Sequence, residues 1–243
     1  MRTRYILATL SGLILASSAA ADILVVRSSG PSARSYPAGK SIPEGAKIIL
    51  KGSDSLVVLD GRGTRTLRGP GTFAAGAPSK AAPAPSAIAG MVAGAPRRRA
   101  RVGAVRSVGN VPRSPTIWHV DVAKSSTICL ADRDNVTLWR ADATQPITLK
   151  ITGPGGRTEE VAWPKNETTL VWPTAPAIAE GVEYRVSWEG DSSPTLLSFK
   201  WLPAKPAGIE DMAQSLIRNQ CQAQLDLLIE TFKQPDEEAA VPS

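Results

Sequence analysis

Val182-Glu183-Tyr184-Arg185-Val186-Ser187-Trp188 alternates apolar and polar side chains through seven residues. Successive side chains of an extended chain point to opposite faces, so period-two patterning gives a half-buried strand. The same pattern recurs outward from this stretch. Leu197, Phe199 and Trp201 follow it. Ile147, Leu149 and Ile151 alternate with Thr148 and Lys150, just before the turn Gly153-Pro154-Gly155-Gly156. Trp118, Val120 and Val122 point one way, with His119 and Asp121 opposite. With 127–130, 136–140, 159–163 and 168–172 added, seven or eight short strands recur at intervals of roughly ten residues, the rhythm of a β-sandwich over 114–203.

Ala179-Glu180-Gly181-Val182-Glu183-Tyr184-Arg185-Val186 resembles the fibronectin type III phrase in which Gly-x-x-Tyr opens the sixth strand. The resemblance implies an Ig/fibronectin-like sandwich in which Tyr184 bonds back to the backbone upstream. Residues 22–73 read as a smaller β unit. Ile23-Leu24-Val25-Val26 and Lys47-Ile48-Ile49-Leu50 have strand composition. A third strand at 55–59 runs into Asp60-Gly61, a hairpin-turn dipeptide, and 64–67 returns as its partner. Gly69-Pro70-Gly71 then ends the pairing, since Pro donates nothing to a ladder. The stretch 52–72, with its Asp-Gly turn and its Leu-x-Gly-Pro-Gly step, resembles the β-repeat core of FecR-type periplasmic domains. About fifty residues make a thin core, marginal alone.

Charge divides the chain. The net charge is +6, but the segment 74–113 holds Lys80, Arg97, Arg98, Arg99, Arg101, Arg106 and Arg113 and no acid. It is rich in Ala, Pro and Gly and poor in large apolar residues, and it reads as a flexible basic linker, because it buries too little surface to offset its ordering entropy. Residues 204–233 form a C-terminal helix. Met212, Leu216, Gln220, Gln224 and Leu228 lie at i+4 steps, beside a stripe of Ala213, Ile217, Cys221 and Leu225. Residues 234–243 are a flexible acidic tail.

The first 21 residues read as a secretory signal peptide. Arg2 and Arg4 give the positive start, 5–16 an uncharged apolar run, and Ser18-Ala19-Ala20-Ala21 the small residues before a cut at Asp22. No later stretch approaches about 18 apolar residues, so no membrane span is expected after cleavage. A periplasmic or secreted location follows. In that compartment Cys129 and Cys221 are expected to pair, closing a loop whose chain-entropy stabilisation is about 4 kcal/mol.

Catalytic patterns are missing. His119 is the sole histidine, and with Asp121 it makes neither a metal site nor a triad. It reads as an exposed strand residue. Asp132, Asp134 and Asn135 lack the Gly and the distant Glu of a calcium loop. No enzyme activity, cofactor or metal is expected. Arg97, Arg98, Arg99 and Arg101 have no interleaved aromatics to stack on bases, so they suit an anionic envelope polymer rather than nucleic acid. Trp118 and Trp188 fall on the core side, whereas Trp163, Trp172 and Trp201 lie near strand ends, placed to stack on a ligand. The expected function is that of an exported, non-enzymatic cell-envelope protein, a binding, assembly or sensing module whose partner is an envelope protein or an anionic polymer. The alternative is a carbohydrate or peptidoglycan binder using exposed tryptophans.

Overall fold

The computed structural model describes residues 22–76, 113–190 and 193–234. The segment read as a signal peptide, the stretch from 235 read as an acidic tail, and most of the stretch read as a linker, with Arg97, Arg98, Arg99 and Arg101, lie outside the described residues.

The chain is mainly β, with two helices near its C-terminus. The N-terminal unit holds β1 (Ile23–Ser29), β2 (Ser41–Ile42), β3 (Lys47–Leu50), β4 (Ser55–Asp60), β5 (Gly63–Arg68) and β6 (Gly71–Ala74). One antiparallel sheet has the order β2-β1-β4-β5, and β3 pairs with β6. Two of these strands, β2 and β6, escaped the sequence reading. The cause for β6 is instructive: the Pro70 step does end β5, but the chain turns there and pairs Phe73 with Ile48.

Ile23-Leu24-Val25-Val26 and Leu56-Val57-Val58-Leu59 are unbroken apolar runs rather than alternating ones, and a strand buried on both faces has that composition. Ile23, Val25, Leu56 and Val58 pack into a core with Ile48 and Phe73 from the β3–β6 pair. Leu24, Val26, Val57 and Leu59 point the other way and pack against the C-terminal helices. The thin core inferred for 22–73 is therefore thickened by a second layer from the far end of the chain.

The second unit is a two-sheet sandwich. Its strands are β7 (His119–Asp121), β8 (Ser126–Leu130), β9 (Thr137–Trp139), β10 (Ile147–Thr152), β11 (Thr158–Trp163), β12 (Thr169–Val171), β13 (Glu183–Trp188) and β14 (Thr195–Trp201). A five-stranded sheet has the order β11-β10-β13-β14-β8 and faces a three-stranded sheet, β12-β9-β7. Their inner faces supply one core, including Leu138, Leu149, Val186 and Phe199. Tyr184 sits fully buried in it. Its hydroxyl donates to Ala177 O at 2.7 Å and accepts from Ala179 N at 2.7 Å, the upstream backbone bond expected of this tyrosine.

The single C-terminal helix expected over 204–233 is instead two, α1 (Ile209–Arg218) and α2 (Gln222–Thr231). The break falls where Gln220 takes a left-handed φ of 60° and Cys221 is held by a disulfide to Cys129, with Cα atoms 5.8 Å apart. Apolar periodicity carries across such a break, so the stripe alone does not reveal it. Ile209, Met212, Ala213 and Leu216 of α1, and Leu225, Leu228 and Ile229 of α2, share one core with Leu24 and Val57 of the N-terminal sheet and with Ile117 and Leu202 of the sandwich. The helix pair thus lies between the two β units and touches both. Among the described residues no helix is long and apolar enough to cross a membrane.

Candidate functional site

His119 opens β7 and stands between two surface clefts. It is half-buried rather than exposed. Its Nδ1 is shielded and has no hydrogen-bond partner, and burial lowers its pKa, so the ring is neutral at pH 7. Asp121 does not serve it: Asp121 Oδ1 accepts from Ala123 N at 3.0 Å and Oδ2 pairs with Lys124 at 3.3 Å.

The first cleft, about 350 Å³, runs between β7–β8 and α2, with Ile117, Ile128 and Leu227 along its apolar parts. Its inner end is closed by Gln224, a buried residue the sequence reading placed on the helical stripe without a role. Leu130 O accepts from Leu202 N, so even-numbered residues of β8 turn towards β14 and Cys129 turns away. Gln224 Oε1 accepts from Cys129 N at 2.7 Å, and its Nε2 donates to Cys129 O and to Ile117 O, each at 2.9 Å. One side-chain amide therefore stands in for a neighbouring strand at the free edge of the sheet.

The second cleft, about 760 Å³, lies on the other side of His119, among Trp118, the turn 132–135 and the segment 202–205. Asp132 organises the turn: Oδ1 accepts from Asp134 N at 2.9 Å and Oδ2 from Asn135 Nδ2 at 3.0 Å. The Asn135 side-chain bond, then the Asp134 backbone N–H, lower its pKa. Trp118 was read as facing the sandwich core. The strand begins only at His119, so the alternation does not extend back to Trp118; it packs half-buried against the helical core and lines this cleft.

The three tryptophans expected to stack on a ligand divide differently. Trp163 is fully buried, with the Arg140 guanidinium over its ring. Trp172 is buried too; its Nε1 donates to Pro176 O at 2.9 Å, and its ring packs edge-on against Tyr184 and Phe199. Neither can meet a ligand, because each lies near a strand end but turns into the space between the sheets. Trp201 is half-buried beneath Arg133, whose guanidinium carbon lies 4.9 Å from the ring centre. Arg140 also escaped the sequence reading. It is buried and donates to Glu167 O, Gln145 O and Pro164 O, fastening two loops of the sandwich.

Among the described residues, no group of three or more His, Cys, Asp or Glu is placed to hold a metal ion. The chain matches no protein-family model, no curated protein and no solved structure.

Proposed function

We propose that this chain is an exported, non-enzymatic module of the bacterial cell envelope that works by binding, in assembly or sensing. The observation that carries the reading is the disulfide between Cys129 and Cys221, because such bonds persist in oxidising compartments and this one joins β8 of the sandwich to the residue that opens α2. The leader-like first 21 residues and the resemblance of 52–72 to FecR-type periplasmic domains support the same location. The arginine-rich run at 97–101 suits an anionic envelope polymer, with each basic residue near an anionic surface adding roughly 1 kcal/mol at moderate salt.

The test is to express the full chain in a Gram-negative host, fractionate the cells and sequence the mature N-terminus. The expected result is a periplasmic protein that begins at or within about two residues of Asp22, with no reactive thiol. A reduced protein retained in the cytoplasm with residues 1–21 intact would contradict the reading. So would a hydrolytic activity abolished by His119→Ala.

A further inference from the structure

The cleft beside Trp118 combines an aromatic wall with charged and polar side chains. Two acids, Asp132 and Asp134, and two bases, Arg133 and Lys205, line it and balance in charge. His119 adds none, since burial keeps it neutral. A strongly anionic or cationic ligand therefore gains little here. The aromatic wall is Trp118, backed by the helical core, so its ring is held in place by packing. Asp132 spends both carboxylate oxygens on the turn. That leaves the Asp134 carboxylate and Asn135 Oδ1 without partners among the described residues, at the rim of the same cleft.

A supported aromatic ring and uncommitted oxygens lining one cleft without net charge match a ligand with one C–H-rich face and hydroxyl donors around it. Its volume, about 760 Å³, lies within the range of small-ligand sites. We infer that this cleft binds a short, uncharged oligosaccharide, one sugar ring lying against Trp118 and its hydroxyls donating to Asp134 and Asn135. The inference rests on the reading of the chain as an envelope binding module and names the ligand class of one site. It moves the saccharide role from Trp163 and Trp172, which are buried, to a tryptophan at the surface.

The test uses the full mature chain in its oxidised form. Chitotetraose, cellotetraose and maltotetraose are titrated in by calorimetry and tryptophan fluorescence, with polygalacturonate as the anionic comparison. Saturable binding of at least one neutral tetrasaccharide is expected, weakened about tenfold or more by Trp118→Ala. Because Trp118 also packs on the helices, a second variant, Asp134→Ala, keeps the ring and the Asp132–Asn135 bond of the turn in place and is expected to weaken the same binding with the thermal midpoint unchanged. Failure of all three sugars to bind, or binding indifferent to both variants, would overturn the inference. Either of those results from a protein correctly exported and oxidised would sink the saccharide site alone and leave the envelope reading standing.

Discussion

Gln224 illustrates how much one side chain decides at the residue scale. Removing its amide orphans both the N–H and the C=O of Cys129 in a buried place, and each unsatisfied group costs about 1–3 kcal/mol. Gln224→Leu is therefore expected to lower unfolding stability by about 2 kcal/mol or more, read as a shift in the urea midpoint; an unchanged midpoint would show that water replaces the amide. Gly63 is as exacting. Its φ is +140°, and a Cβ there would meet the carbonyl oxygen of Phe232. The backbone N–H of Thr64 donates to that same oxygen at 2.8 Å. Gly63→Ala should cost about 1–3 kcal/mol and raise hydrogen exchange at Thr64 and Gln234 first. His119 sets a pH dependence. Its unfolded pKa is near 6.5 and burial lowers it in the fold, so the unfolded chain holds the extra proton between the two values. Stability should therefore fall as the pH drops below about 6.5, and His119→Gln should flatten that part of the profile. Asp54 acts further down. Burial alone would raise its pKa, but the bonds from Ser32 and from the Lys51 backbone N–H, with the Lys51 charge, outweigh burial and lower it. Its contribution is present above 3.8 and is lost as the pH falls through the lowered value.

At the scale of elements, the disulfide ties the helix pair to the sandwich. It joins β8 to the residue that opens α2, across 92 positions of sequence. Alkylation of the unfolded, unreduced protein should label no thiol. The variant Cys129→Ser/Cys221→Ser should lose about 4 kcal/mol in the chain-entropy view, with the helices exchanging faster than the sandwich strands. The strands of the sandwich were legible because their cores are fed from one side, which writes strict alternation into 147–151 and 183–188. The disulfide was legible from cysteine parity, the leader-like first residues and the place of Cys221 on the apolar stripe. The break between α1 and α2 was not: it depends on one left-handed residue, Gln220, and on a covalent tie, neither of which alters the apolar period. Nor were the buried faces of Trp163 and Trp172 legible, since a strand end in sequence does not say whether the last side chain turns inwards. The cleft at Trp118 was hidden for the complementary reason, a residue that extends an alternating pattern while standing outside the strand.

Across the whole molecule, the helix pair makes one body of two β units. A single apolar core draws Leu24, Val26, Val57 and Leu59 from the N-terminal sheet, Ile117 and Leu202 from the sandwich, and the inner faces of both helices. The last described residues extend that union. Gln234 N donates to Thr64 O at 2.7 Å and Thr64 Oγ1 to Ile229 O at 2.7 Å, so residues 232–234 run along the open edge of β5. Arg27 pairs with Asp226 across the same boundary. This union was invisible in the sequence, where the apolar runs 23–26 and 56–59 were read for strand composition alone; the structure shows that both of their faces are covered. The basic, acid-free stretch 97–113 is the expected site of early tryptic cleavage, which would leave a C-terminal fragment beginning near Ser114. No disulfide joins that fragment to the N-terminal one. The decisive measurement is native size-exclusion chromatography of the nicked protein. The two fragments should co-elute at the volume of the intact chain and part only in denaturant. Elution of a free, folded fragment starting near Ser114, with the N-terminal piece running separately, would contradict the shared core.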